Sequence, residues 1–223
     1  CFAERGIPLF GINCGNLGFL SQSTIDEIDK NISKLLKGDY SIEERTMLEA
    51  MDNLEVPSFR LTALNDMVIT RSHNAGTLLL NVQVDDKKLN NFYGDGLIVS
   101  TPTGSTAYNL SVGGPILEPS INAFAISPVS SHSLAIRPIV IPDSSIVKII
   151  VSNEQDEVIL TADGQDVDNL TSGSAVYVRK FAYKAKLIVI GSEENYFYNI
   201  IRRKLHWGIF PGTYPLTNKE ETL

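Results

Sequence analysis

The run Gly94-Asp95-Gly96-Leu97-Ile98-Val99-Ser100-Thr101-Pro102-Thr103-Gly104-Ser105-Thr106-Ala107-Tyr108-Asn109-Leu110-Ser111-Val112-Gly113-Gly114-Pro115 constrains this chain more than any other stretch. Leu97, Ile98 and Val99 form a short apolar run, the pattern of a buried strand. The Ser, Thr, Gly and Pro residues behind it are loop chemistry. Thr106 to Ser111 suits a short helix, which Gly113-Gly114-Pro115 stops. A strand feeding a hydroxyl-rich glycine loop that opens a helix favours an anion: small residues let backbone N–H groups come close, and a helix N-terminus favours negative charge. The run is not a P-loop, because no Lys follows the glycines, and it lacks the G-x-G-x-x-G spacing. Spacing alone leaves two readings open, a phosphorylated or nucleotide ligand and a structural turn with a tight helix start.

The same run resembles the signature of the NAD kinases, GDG-L-I-x-S-T-P-T-G-S-T-A-Y-x-L-S-x-G-G-P. Further matches follow in that family's order: Gly11-Ile12-Asn13-Cys14-Gly15-Asn16-Leu17-Gly18-Phe19-Leu20, Ala63-Leu64-Asn65-Asp66, His132-Ser133-Leu134-Ala135-Ile136-Arg137-Pro138 and Asp163-Gly164-Gln165. The resemblance spans essentially the whole chain. It implies Mg²⁺-dependent phosphoryl transfer from ATP, or polyphosphate, to the 2′-hydroxyl of the adenosine ribose of NAD, giving NADP. It implies an α/β plus all-β fold: a truncated, Rossmann-like N-terminal α/β domain, then a β-rich, sandwich-like NAD-binding domain, with a C-terminal helix returning to the first. The boundaries expected are 1–39 joined by 193–208, and 40–192.

Local patterns are read as follows. Ile7 to Asn13 is an apolar run ending in glycine-rich turn, expected to be a buried parallel-type strand. Ser23 or Thr24 caps a helix whose Ile25, Ile28, Ile32, Leu35 and Leu36 recur at helical spacing, with Gly38 as its stop. Ser41 to Ala50, Phe59 to Leu64, Met67 to Thr70, Ile146 to Val151, Val158 to Ala162, Ala175 to Arg179 and Leu187 to Ile190 read as strands. Leu78 to Val84 and Lys87 to Tyr93 flank Asp85-Asp86 as a hairpin. Glu193 to Leu205 reads as a helix through Tyr196, Phe197, Ile200, Ile201 and Leu205.

Several residues could carry chemistry. Asn65-Asp66 offers a donor, acceptors and one negative charge, a set suited to sugar hydroxyls; its alternative is a turn or cap. The family has Asn-Glu there, so Asp66 keeps the carboxylate with one methylene less reach. Asp95 alone reads as a turn aspartate; the resemblance puts it at the nicotinamide end of the NAD site. By resemblance Thr106, Ala107, Tyr108 and Ser111 are dinucleotide contacts. Tyr108 offers a flat apolar face with a polar tip. Asp163-Gly164-Gln165 is a turn by spacing, and Gln165 a ligand contact by resemblance. Ser130 and His132 are implied to reach a neighbouring subunit's pocket, so a homodimer or homotetramer is expected.

No Cys/His/carboxylate cluster has structural-metal spacing, so Mg²⁺ is expected to come with the nucleotide. The family's catalytic carboxylate lies in a Gly-Gly-Asp-Gly motif upstream of the segment matching Ile7 to Leu20. This sequence contains no such motif, and no residue in it is assigned as catalytic. It opens on Cys1-Phe2-Ala3, not on Met, so an N-terminal truncation is expected, with weak dinucleotide binding and poor phosphorylation by this polypeptide alone. The alternative is a non-catalytic dinucleotide-binding or assembly subunit; a lipid-kinase relative is a weaker third.

Across its 223 residues, a formal net charge of −7 argues against a general nucleic-acid or anionic-membrane surface. Cys1 and Cys14 make no disulfide framework, consistent with a cytoplasmic setting. No apolar run is long enough to span a bilayer.

Overall fold

The computed structural model describes residues 2–15, 18–21, 23–71, 77–133, 135–152, 158–190 and 196–207. In chain order the elements are β1 (Ile12–Asn13), β2 (Ser23–Thr24), α1 (Ile28–Lys37), β3 (Ser41–Arg45), β4 (Leu48–Met51), β5 (Arg60–Ala63), β6 (Asp66–Arg71), β7 (Leu78–Val84), β8 (Lys87–Gly94) and β9 (Gly96–Ser100). They continue with α2 (Tyr108–Ser111), β10 (Ala123–Val129), β11 (Ile139–Pro142), β12 (Val147–Val151), β13 (Val158–Ala162), β14 (Gln165–Leu170), β15 (Ala175–Lys180), β16 (Ala185–Val189) and α3 (Tyr196–Leu205). The chain divides into two units, Cys1–Leu9 with Ile42–Leu187, and Phe10–Ser41 with Ile188–Leu223.

The larger unit is a sandwich of two six-stranded sheets, ordered β11-β10-β9-β6-β13-β14 and β5-β4-β15-β12-β7-β8. The pairs within both are antiparallel. Because strand side chains alternate in direction, each strand sends every second residue into one shared core. Met67 and Ile69 of β6, Leu97 and Val99 of β9, Phe124 and Ile126 of β10, and Val158 and Leu160 of β13 meet Leu48, Leu80, Val82, Ile149 and Val178 from the other sheet. β9 is buried along its whole length. Its second face is also covered: Ile98 packs with Val68, Val129 and Val112, the last just beyond α2. That double cover is why Leu97-Ile98-Val99 is apolar without alternation. Asp85 and Asp86, at φ 50° and 61°, turn β7 into β8, the left-handed pair that a two-residue hairpin needs and that Asp tolerates.

Some elements differ from their sequence patterns. Ser41 to Ala50 is two strands, β3 and β4, because Thr46 and Met47 leave the ladder. Ile7 to Asn13 supplies only β1 and a parallel bridge from Leu9 to Leu187. Ile7 is 42% exposed. Among the described residues β1 has only β2 beside it, and one short neighbour cannot bury a strand on both faces.

In the smaller unit, Thr24 N–H and Oγ1 both donate to Glu27 Oε2, at 3.3 and 3.2 Å. Gly38, at φ 74°, ends α1, its N–H donating to Leu35 O. The apolar stripe of this helix is only partly covered by the described residues: Ile28 and Leu35 are half-buried, while Ile25, Ile32 and Leu36 are exposed, Leu36 at 85%. What is buried is Asn31, whose Nδ2 donates to Ser23 Oγ at 2.6 Å. α3 buries Ile200 and Ile201, and Lys204 Nζ lies 4.8 Å from the centre of the Phe19 ring. Residues 191–195, the start of the expected last helix, lie outside the described residues.

Phe124 is fully buried between the two sheets. Phe124→Ala is therefore expected to lower the unfolding free energy by about 3–5 kcal/mol in urea titration. An unchanged midpoint would contradict this core.

Candidate functional site

Alternation from Asp66 puts Asp66, Val68 and Thr70 on the outer face of β6, opposite Met67 and Ile69 in the core. Thr161 stands on the same outer face of the adjacent β13, since Leu160 and Ala162 point inward. These residues line a cleft of about 460 Å³. Asn65 borders it from the corner between β5 and β6, Asp163 and Gly164 from the turn between β13 and β14, and Ala107 and Tyr108 from the start of α2.

The Leu64–Asp66 corner is held from two sides. Asp163 Oδ2 accepts the Leu64 N–H at 2.8 Å, and its Oδ1 accepts those of Asn65 at 2.7 Å and Asp66 at 3.1 Å. The Asp163 N–H donates back to Asp66 O at 3.0 Å. From the other side Thr101 Oγ1 donates to Leu64 O at 2.6 Å and the Thr101 N–H to Asn65 O at 2.9 Å. The corner also lies against Gly104, where a Cβ would come within 2.0 Å of Asn65 O. Only glycine permits that approach.

The hydroxyl-rich loop is built differently from an anion cradle. Besides its bond to Leu64 O, Thr101 Oγ1 accepts the Gly104 N–H at 3.0 Å. Ser105 Oγ donates to Pro102 O at 2.6 Å and accepts the Leu117 N–H at 2.9 Å. Ser105 and Thr101 are wholly buried, so their hydroxyls shape the loop from within. The helix behind it is a short 3₁₀ turn, Gly104–Thr106, and the four-residue α2, too brief for a macrodipole to matter. α2 is anchored by Asn109, whose amide donates to Ser105 O at 3.2 Å and Pro115 O at 3.1 Å and accepts from Ser127 Oγ at 2.6 Å. Gly114 lies so close that a Cβ would meet the Asn109 side chain at 2.1 Å. The loop thus presents Ala107 and a 42% exposed Tyr108 to the cleft.

Asp66 is only 4% exposed. Burial, and secondarily the Asp163 carboxylate, push its pKa up to about 6. The group is thus ionised at neutral pH but protonates just below it.

Of the residues named from sequence, the structure gathers Asn65, Asp66, Ala107 and Tyr108 around one cleft. Gln165 follows Gly164 and is exposed. Thr106 Oγ1 donates to Thr103 O at 3.3 Å, and Ser111 is exposed at the end of α2. A second group lies just beyond Thr70, the cleft residue paired with Gly96. Asp95 pairs with Arg71 and its N–H donates to Val129 O at 2.9 Å. Ser130, at φ 47°, comes next, and the His132 N–H donates to Tyr93 O at 3.0 Å. His132 Nδ1 lies 3.5 Å from Thr77 Oγ1. Sequence reading missed Val68, Thr70 and Thr161 as lining residues, although period-two counting from Asp66 marks the first two. Asp163 lies in the turn that its spacing predicts, and its carboxylate has a second role that spacing does not show. Among the described residues no group of three or more His, Cys, Asp or Glu could hold a metal ion, and no helix is long and apolar enough to cross a membrane.

Residues 64–190 match the model of the ATP-NAD kinase C-terminal domain. The chain is 42% identical over 205 residues to the NAD kinase of Sulfurimonas denitrificans, covering 92% of this chain and 71% of that protein. It is 41% identical over 209 residues to the NAD kinase of Heliobacterium modesticaldum, covering 92% and 72%. Among solved structures, yeast NADH kinase complexed with NADH superposes with a TM-score of 0.83 at 28% identity, covering 93% of this chain and 61% of that one. An Archaeoglobus fulgidus NAD kinase in complex with ATP shares the fold, with a TM-score of 0.72 at 24% identity over 87% of this chain and 72% of that one.

Two outcomes test this geometry. Gly104→Ala must push the Asn65 corner aside, so it is expected to destabilise the protein by more than the about 1 kcal/mol typical of a point change; a neutral melting curve contradicts the contact. For Asp66, the raised folded pKa contributes stability that is complete below the unfolded value of 3.8 and lost as pH rises through about 6, about 3 kcal/mol in all. Asp66→Asn is expected to remove that fall between pH 4 and 7 in denaturant titrations; an unaltered pH slope contradicts it.

Proposed function

The chain belongs to the NAD kinase family, and from that premise we propose that its own part in the reaction is to hold the dinucleotide acceptor. The reaction is phosphoryl transfer from ATP, or polyphosphate, to the 2′-hydroxyl of the adenosine ribose of NAD, giving NADP. The observation that carries the assignment is the cleft on the outer face of β6 and β13, where Asn65 and Asp66 stand across from Ala107 and Tyr108.

The chemistry of the cleft suits the ligand. The Asn65 amide can donate and accept, and the ionised Asp66 can accept from ribose hydroxyls. The Tyr108 ring offers a flat surface to a base or ribose. Val68 gives the floor an apolar strip, while Thr70 and Thr161 add hydroxyls. Phosphoryl transfer is mostly positioning and charge neutralisation, so a wall whose backbone is pinned on both sides is what an acceptor needs.

Neither carboxylate in the cleft is assigned as the base that takes the hydroxyl proton. Both Asp163 oxygens are engaged by backbone N–H groups, and the family resemblance puts the base in a Gly-Gly-Asp-Gly motif that this sequence does not contain. Mg²⁺ would enter with the phosphates of ATP, whose oxygens would hold it and whose charge it would neutralise. Thr106, Ser111 and Gln165 flank the dinucleotide further out. Asp95, next to the Gly96 that pairs with the cleft residue Thr70, stands at the nicotinamide end of the same site, and Ser130 and His132 meet it from a neighbouring copy in a homodimer or homotetramer working in the cytoplasm.

Incubation of the native protein with NAD, ATP and Mg²⁺ is expected to yield NADP, read with an NADP-specific dehydrogenase. Asn65→Ala and Tyr108→Ala are each expected to lower kcat/KM for NAD by roughly tenfold, about 1.4 kcal/mol of lost binding. Wild-type values in both variants would remove the cleft from the reaction.

A further inference from the structure

A backbone corner at a binding wall has to satisfy its own polar groups before it can present side chains to a ligand. At Leu64–Asp66 every one of those groups has a partner. The three carbonyls accept from Thr101 Oγ1, the Thr101 N–H and the Asp163 N–H. The three N–H groups converge on a single carboxylate, that of Asp163. Successive N–H groups aimed at one point form a concavity for an anion, and here the anion is a side chain of the same chain, from 99 to 97 residues further on. Asp163 itself sits at φ 53°, a left-handed conformation that Asp tolerates better than most residues. Its own N–H closes the ring back to Asp66 O.

We propose that Asp163 is the positioning residue of the cleft: by gathering the N–H groups of Leu64, Asn65 and Asp66 it sets where the Asn65 amide and Asp66 carboxylate meet the dinucleotide. This rests on reading the cleft as the dinucleotide site. Asp163 contacts the ligand's partners through the main chain and need not touch the ligand. Asn is a poor substitute because it has one acceptor oxygen for three donors, and its NH₂ would face an N–H. Glu keeps both oxygens but carries them one methylene too far. Asp163 also faces Asp66 with a like charge; Tyr108 is the other titratable group lining the cleft.

The test is calorimetric titration of NAD into the native protein, wild type against Asp163→Asn and Asp163→Glu, across pH 5 to 8. Asp163→Asn is expected to weaken NAD binding at least tenfold, the scale of losing charge-assisted bonds. It is also expected to move the pH midpoint of binding downward, because Asp66 then ionises without a like charge beside it. Asp163→Glu is expected to weaken binding while leaving the midpoint near its wild-type position. A simple loss of packing would not move the midpoint in one variant alone. If wild type binds NAD and Asp163→Asn binds equally tightly with the same midpoint, the positioning role is wrong while the cleft reading stands. If wild type binds no NAD, the cleft reading itself fails. Should neither variant fold, amide exchange in the wild-type protein decides: protected N–H groups at Leu64, Asn65 and Asp66 support the clamp, and unprotected ones overturn it.

Discussion

One carboxylate and one threonine hold the corner between β5 and β6. Asp163 takes the N–H groups of Leu64, Asn65 and Asp66, and Thr101 supplies donors to the carbonyls of Leu64 and Asn65. Charge-assisted bonds to a carboxylate are stronger than neutral ones, and here three share one acceptor group. The arrangement ties together β6, the end of β9 and the turn after β13. Gly104 lets the loop that follows β9 lie against the same corner. Without those ties Asn65 would be an ordinary residue in an ordinary turn.

Packing explains why the cleft lies where it does. β9 is central in its sheet and covered on both faces, by the sandwich core on one side and by residues around α2 on the other. The polypeptide that covers its outer face leaves the neighbouring outer faces of β6 and β13 open. Asp66, Val68, Thr70 and Thr161 thus line a ligand-sized space, with Tyr108 as its wall. The buried amide of Asn109 keeps that wall in place through its bonds to Ser105, Pro115 and Ser127.

Much of this was legible in the amino-acid order. The strand at Leu97–Val99, the Asp85-Asp86 hairpin, the Gly38 helix stop and the β-rich middle follow from local pattern, because local sterics and burial decide them. Asn65, Asp66, Ala107 and Tyr108, marked in the sequence as candidates for chemistry, line one cleft. Two things were hidden. The hydroxyls of Thr101 and Ser105 face inward, and no spacing rule distinguishes a loop whose hydroxyls bind a ligand from one whose hydroxyls bind itself. Asp163 looked like a turn residue because its partners lie almost a hundred positions earlier in the chain. The stripe on α1 marks a real helix, and the described residues cover only part of it, at Ile28 and Leu35.

The distance along the chain between Asp163 and the corner it holds has a consequence during synthesis. Sheet partners such as β4 and β15, or β6 and β13, are likewise remote in sequence, and contacts of that kind form late and slowly. A nascent chain emerging from the ribosome carries Asn65 and Asp66 long before the aspartate that accepts their N–H groups has been translated. Until then the corner is an untethered connection between two sheets beside unpaired strand edges, the state most open to misassociation. The cleft's corner is therefore among the last parts of this unit to mature.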